Sequence, residues 1–271
     1  MSVSRVIVEN RTINLPDSLI LTKVESILHW TDNLFSFRVI RPKTFRFRSG
    51  EFVMLGLPMA GKPLLRAYSM ASPCWEDALD FYSIKIVDGP LTSRLQNIKP
   101  GDEVILGKKP TGTLVLDALK AGKRLFLFST GTGIAPFASL IRDPETYEKY
   151  GQVVLTHTCR NVSELNYGKH LIKLLERDPL LGDTIPGRLT YFSTTTREQY
   201  SHMGRITDLL SGGDFFKWSN IKKLEPENDR AMICGSLAMI RDTSEILKKI
   251  GLTEGANSSP GEFVLEKAFA Q

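Results

Sequence analysis

The stretch from Leu125 to Pro136 constrains the fold more than any other. Four consecutive apolar residues, Leu125-Phe126-Leu127-Phe128, run into Ser129-Thr130-Gly131-Thr132-Gly133-Ile134-Ala135-Pro136. A short, unbroken apolar run suits a strand buried on both faces of a parallel sheet. A glycine turn and a helix start directly after such a strand put main-chain N–H groups where an anion can sit. Glycine lets that backbone approach a ligand without a Cβ in the way. Taken alone, the pattern also fits an ordinary tight connection, so the rest of the chain must decide.

From Leu119 onward, strand-like and helix-like segments alternate. Leu125–Phe128, Val153–His157, Leu189–Ser193 and Ala231–Cys234 read as strands, and Ala135–Ile141 and Val162–Leu175 as helices. Asn161 with Glu164 three residues on is a capping pattern. Ser236 is placed to cap a helix over Leu237–Ile250 that stops at Gly251. The alternation predicts a parallel sheet with helices on both faces, and ligands of such sheets bind beyond the carboxyl ends of the strands. Thr132, Arg160, Thr196, Arg197 and Cys234 all fall at such ends, with Arg205 soon after. Sites for NAD place an acidic residue on the adenine ribose, whereas sites for NADP place arginine near its 2′-phosphate. Neither Val153–His157 nor Leu189–Ser193 is followed directly by a carboxylate; Glu164 and Glu198 come later.

The first half reads differently. Leu34–Arg41, Phe52–Leu57, Arg66–Met70, Leu79–Val87 and Glu103–Gly107 are short strands separated by turn residues, which predicts a small antiparallel barrel. Between the last two, Gly89-Pro90-Leu91-Thr92-Ser93-Arg94-Leu95 reads as a short helix, with Pro90 suited to its first turn. Arg66-Ala67-Tyr68-Ser69 combines a planar cationic fork that fits phosphate, an aromatic face for stacking and a small hydroxyl. The chain therefore divides into a barrel domain over residues 1–118 and an α/β domain over residues 119–271.

Composition excludes several classes. The chain has 271 residues and a formal net charge of +5. Its pI of about 9.0 fits acidic or phosphorylated partners. No long Lys/Arg run accompanies that charge, so nucleic-acid binding is not expected. No apolar run approaches the ~20 residues of a membrane span, and the N-terminus is too charged for a signal peptide, so a cytoplasmic protein is expected. Cys74, Cys159 and Cys234 stand far apart, and the four histidines lack ligand spacing, so no metal centre is expected.

Arg66-Ala67-Tyr68-Ser69, Gly89-Pro90-Leu91-Thr92-Ser93, Gly131-Thr132-Gly133-Ile134-Ala135-Pro136 and Cys234-Gly235-Ser236, in this order, resemble the ferredoxin–NADP⁺ reductase family, above all its bacterial ferredoxin/flavodoxin–NADP⁺ reductases. The resemblance covers the chain from about Leu21 to its end. It implies a flavoenzyme that takes a hydride from NADPH onto FAD and passes electrons singly to ferredoxin or flavodoxin. It implies that Arg66 meets the flavin pyrophosphate, Tyr68 stacks on the isoalloxazine and Ser69 lies near its reactive nitrogen. Tyr82, Ser83 and Lys85 match further FAD contacts, and Leu91, Thr92 and Ser93 the pyrophosphate segment. Thr132, Arg160, Thr196, Arg197 and Arg205 match the NADP side. Cys234 and Glu266 match the nicotinamide pocket, and Ala268 and Phe269 a C-terminal pair that packs on the cofactor. Lys43, Arg46, Arg48, Lys62 and Lys109 offer cations to an acidic partner. A monomer is expected. The alternatives are an electron-transfer component of an oxygenase or a larger redox complex, which usually carries clustered cysteines that this chain lacks, and a nucleotide-binding module without flavin.

Overall fold

The computed structural model describes residues 4–8, 11–58 and 63–267. Strands β1 (Ser4–Val8) and β2 (Arg11–Leu15) form an antiparallel hairpin. The barrel consists of β3 (Leu19–His29), β4 (Leu34–Ile40), β5 (Phe52–Leu57), β6 (Leu64–Ser69), β7 (Ala78–Ile84) and, after the short helix α1 (Thr92–Leu95), β8 (Glu103–Gly107). Their order is β6-β5-β8-β3-β4-β7, with every neighbouring pair antiparallel. A bridge between Met70 and Phe81 brings the two edge strands together and curls the sheet closed. Alternation decides what lies inside: on β4, Phe35, Phe37 and Val39 are buried while Ser36, Arg38 and Ile40 are not. Phe37 stacks on Phe81 with ring centroids 5.2 Å apart.

Two differences from the sequence reading have local causes. The 11-residue β3 was not expected, because a register shift between Val24 and Ser26 breaks its alternation in mid-strand. The strand expected to reach Val87 stops at Ile84. Beyond it Ile86 and Val87 turn outward, and Val87 is 85% exposed.

The second half runs β9 (Arg124–Thr130), α2 (Ala135–Leu140), α3 (Pro144–Lys149), β10 (Gln152–Cys159), α4 (Asn166–Leu175), β11 (Leu189–Thr195), α5 (Ile206–Gly212), α6 (Asp214–Ser219), β12 (Asp229–Gly235), α7 (Leu237–Ile250) and β13 (Phe263–Lys267). All five strands are parallel, in the order β11-β10-β9-β12-β13. Strand order reverses at β9, and a crevice at such a point is where ligands of open α/β sheets bind. Alternating residues of β9 feed two cores. Phe126 and Phe128 face the cluster around α5 to α7, while Leu125 and Leu127 face the other. That second cluster continues into Leu34, Ala71 and Tyr82 of the barrel, so the two halves share one apolar core. Polar contacts reinforce the joint. Arg38 grips Asp80 and Glu76, Arg142 of the α/β half also binds Glu76, and Ser49 Oγ donates to Asp143 at 2.5 Å.

Helix caps follow the sequence in one case and depart from it in another. Ser236 Oγ accepts from Met239 N–H, and Gly251 ends α7 with φ +106°. Asn161 does not cap α4, because a 3₁₀ turn over Val162–Leu165 intervenes and Glu164 reaches back to the Arg160 N–H instead.

Candidate active site

Beyond β9, Gly131–Ile134 forms a 3₁₀ turn that leads into α2. Gly131 has φ +54°, in the left-handed region, and a Cβ there would meet nothing within 4 Å. Conformation, not crowding, selects glycine at this position. At Gly133 crowding decides: a Cβ would stand 2.3 Å from the Cys234 carbonyl oxygen, so the turn packs directly on the end of β12. The turn is propped from below by a residue to which the sequence assigned no role. His157 Nε2 lies 3.1 Å from the Gly131 carbonyl oxygen and Nδ1 3.0 Å from the Tyr191 hydroxyl. Burial pushes the His157 pKa down to about 4, against the Gly131 bond. The neutral ring then carries its proton on Nε2 and accepts from Tyr191 at Nδ1. Nothing in the sequence pattern marks His157, because its partners come from the distant turn at Gly131 and from β11.

The crevice above this turn is a cleft of about 930 Å³. Thr132, Arg160, Thr196, Arg197 and Arg205, all expected on the NADP side, line it together. Among the described residues, ion pairs engage Arg38, Arg48, Arg124, Arg142 and Arg241, not these three arginines. The barrel completes the wall with Asn33, Leu34, Ile84 and Lys85. Lys85, matched by resemblance to a flavin contact, thus stands on the same cleft as the three arginines.

On the barrel, Arg66 is exposed, and among the described residues its guanidinium bonds only the Leu65 carbonyl. The Tyr68 hydroxyl lies 3.2 Å from Ser83 Oγ, which joins two of the expected flavin residues across the closed edges. Burial raises the Tyr68 pKa, so the phenol stays protonated. Phe37 and Phe81 meet its ring at 72° and 88°, edge to face. Tyr82, expected by resemblance to contact FAD, points its ring elsewhere. Its side chain takes the opposite side of β7 from Ser83 and stacks on Tyr167 of α4, with centroids 4.0 Å apart and planes at 10°. The Tyr82 ring is therefore an interdomain contact, which leaves the main chain of Tyr82 as the part that can meet a ligand. Leu91 is likewise buried at 2% exposure, so only its main chain can meet a ligand. Thr92 Oγ1 binds Ile86 N–H and C=O at 3.3 Å, tying the loop before α1, and Ser93 follows it in the helix.

Cys234 and Glu266 are register partners on β12 and β13. Glu266 Oε1 accepts from the Thr113 N–H and, at 3.3 Å, the Thr113 hydroxyl. Burial outweighs these bonds and pushes the Glu266 pKa up to about 7. Burial also raises the Cys234 thiol, with the Glu266 charge adding to it, so Cys234 is no thiolate at neutral pH. Ser69 is paired to Phe52, which bridges Thr111 just before Thr113. No hydrogen bond joins Ser69 to Cys234 or Glu266 among the described residues. Lys62, Ala268 and Phe269 lie outside the described residues.

The donor set suits two phosphorylated ligands. The cleft offers three arginines, threonine hydroxyls and a glycine turn; the barrel offers an exposed guanidinium beside a half-buried aromatic ring. Comparison with known proteins agrees. Residues 18–115 match the oxidoreductase FAD-binding domain and residues 127–245 the oxidoreductase NAD-binding domain. The chain is 59% identical to the flavodoxin/ferredoxin–NADP reductase of Rhodobacter capsulatus over 94% of each chain. It is 48% identical to the ferredoxin–NADP reductase of Pseudomonas aeruginosa, over 94% of this chain and 99% of the relative. A ferredoxin–NADP⁺ reductase from Neisseria gonorrhoeae, solved with bound FAD and NADP, superposes with a TM-score of 0.84 at 30% identity, covering 94% of this chain and all of that one. With both halves of the fold, both nucleotide sites and these relatives in agreement, the chain belongs to the flavodoxin/ferredoxin–NADP reductase family.

Proposed function

We propose that this protein is an NADPH-dependent flavoenzyme that exchanges electrons between NADPH and ferredoxin or flavodoxin. The observation that carries the proposal is convergence: five separated residues expected on the NADP side line one cleft, and the barrel closes that cleft with Lys85. Bound FAD supplies the redox chemistry, accepting a hydride and releasing electrons one at a time. Arg66 holds the flavin pyrophosphate, Tyr68 faces the ring system, and α1 with Thr92 and Ser93 adds main-chain and hydroxyl donors. Arg160, Arg197 and Arg205 hold the adenosine 2′-phosphate; an arginine hydrogen bond to a charged group is worth about 1.5–3 kcal/mol, roughly ten- to hundredfold in affinity. Thr132 and Thr196 supply hydroxyls to the same nucleotide.

Hydride transfer needs no general acid, and the residues nearest the reaction are suited to position rather than to proton abstraction. Cys234, protonated and packed, walls the nicotinamide pocket. Burial holds the Glu266 carboxyl up to about 7, against the Thr113 and Leu114 donors that favour its charge. Ser69 is placed at the flavin side. Ala268 and Phe269 are assigned to cofactor packing by family resemblance alone.

We place the boundary between the domains at residues 118/119, in the segment between the end of β8 at Gly107 and the start of β9 at Arg124. The acceptor is read as an acidic protein that meets exposed Lys43, Arg46 and Lys109. The enzyme is read as a monomer of the cytoplasm, the location being supported by three free cysteines; no described helix is long and apolar enough to cross a membrane.

The test is reduction of purified ferredoxin and flavodoxin by the FAD-reconstituted protein with NADPH, at increasing salt. Turnover that falls with ionic strength supports the reading. A protein that binds no flavin, or takes up hydride without reducing either acceptor, contradicts it.

A further inference from the structure

Arg160 and Arg197 stand at the ends of the neighbouring strands β10 and β11, each with a glutamate close behind it: Glu164 and Glu198. An acidic side chain beside a phosphate site weakens it by charge repulsion. Both carboxylates, however, are turned onto hydrogen-bond donors of the loop that carries Arg160. Glu164 Oε2 accepts from the Arg160 N–H at 2.8 Å, and its Oε1 accepts from the Asn161 amide at 3.3 Å. Glu198 Oε2 accepts from the Val162 N–H at 2.7 Å, reaching across from the other loop. The main chain returns the grip. Arg197 and Glu198 N–H groups both donate to the Arg160 carbonyl, at 3.0 and 3.3 Å, and the Thr196 N–H donates to the Cys159 carbonyl at 3.0 Å. Thr195 Oγ1 fixes the base of the glutamate by donating to the Glu198 carbonyl at 2.6 Å.

We infer that Glu198 is a positioning residue for nucleotide selectivity, clamping the Arg160 loop to the Arg197 loop so that both arginines are presented together to a 2′-phosphate. Glu164 seconds it from within the first loop. The inference rests on the reading that these arginines bind that phosphate. Its physical basis is preorganisation: two exposed, long side chains on independent loops lose more freedom on binding than two on a tied pair. The negative charge of Glu198 is spent on a main-chain donor, so its net effect on the phosphate site is favourable, opposite in sign to simple repulsion.

Calorimetric titration of the FAD-loaded enzyme with 2′,5′-ADP and, separately, 5′-ADP tests this. The proteins are the unaltered enzyme, Glu198→Ala and Glu198→Gln, each checked for an unchanged melting transition. Glu198→Ala is expected to weaken 2′,5′-ADP about tenfold while moving 5′-ADP less than about twofold, in keeping with the loss of a charge-assisted bond. Glu198→Gln keeps an acceptor for the Val162 N–H and is expected to fall between the two. Affinity for 2′,5′-ADP that is unchanged or tighter in Glu198→Ala overturns the clamp and leaves the arginine site standing. Equal weakening of both probes overturns it too. An unaltered enzyme that does not prefer 2′,5′-ADP removes the arginine site and the clamp together.

Discussion

The two walls of the site are built by different means. On the α/β wall the ligand-facing groups ride on strand ends, and the main chain fixes them: His157 props the Gly131 carbonyl, Gly133 packs on Cys234, and two loops are tied through the Arg160 carbonyl. On the barrel wall side chains set one another, as Tyr68 is set by Ser83 and by the rings of Phe37 and Phe81. The difference teaches where each wall is fragile. The α/β wall tolerates changes at its exposed side chains with loss of ligand alone, but not changes that move its backbone. The barrel wall loses its ligand through single side chains while its closed sheet stands.

Gly133→Val breaks the comparison most severely. Its Cβ would collide with the Cys234 carbonyl, and a cost of about 3 kcal/mol or more is expected from overpacking against main chain. Thermal melting and 2′,5′-ADP affinity would fall together; a variant that melts normally and binds normally would show that the turn has room the structure does not give it. Tyr167→Ala strikes the joint between the walls by removing the ring that packs on Tyr82 and Trp30, at about 3 kcal/mol. Tyr167→Phe keeps the ring and should cost within about 0.5 kcal/mol. Denaturant unfolding distinguishes the two, and equal costs would mean that the hydroxyl, not the stack, holds the interface.

Arg66→Ala sharpens the contrast from the barrel side. FAD affinity should drop roughly ten- to hundredfold with little change in the unfolding of the flavin-free protein, because the side chain is exposed. Flavin fluorescence on dilution reads the release directly. Glu266→Gln has the smallest effect at neutral pH, because the amide keeps the size and polarity of a carboxyl that burial already disfavours as a charge. The Glu266 pKa rises on folding from its ordinary 4.5 to about 7, so the native state binds the proton more tightly than the unfolded chain. Its contribution is therefore most favourable at low pH and is lost as pH rises from about 4.5 through about 7. Urea midpoints measured across that window should lose this component in Glu266→Gln; identical pH profiles would rule out the raised carboxyl.

Much of this was legible in the sequence because it is written in local pattern. β5 and β8 fall at the apolar runs that the turn residues before them mark, and Ser236 and Gly251 bound α7 as capping chemistry requires. The arginines were legible because strand ends of a parallel sheet must converge. What stayed hidden depends on tertiary neighbours. β3 hides behind its bulge. The alternation on β7 separates Tyr82 from Ser83 but does not say which face meets the other domain. β13, α5 and α6 run for only five to seven residues, too few for a periodic pattern to show. His157 and Glu198 act through main-chain groups of distant loops, and no spacing in the chain announces such partners.

We propose that three arginines at the strand ends make the α/β wall a 2′-phosphate site in an NADPH-dependent flavoenzyme. The most direct measurement is the rate of flavin bleaching after anaerobic mixing with NADPH and with NADH, in the unaltered protein and in the combined Arg160→Ala, Arg197→Ala, Arg205→Ala variant. Strong preference for NADPH is expected in the first and near-equal, slow-binding use of both nucleotides in the second, with the NADH rate little changed between them. A combined variant that still prefers NADPH as strongly as the unaltered protein would contradict it.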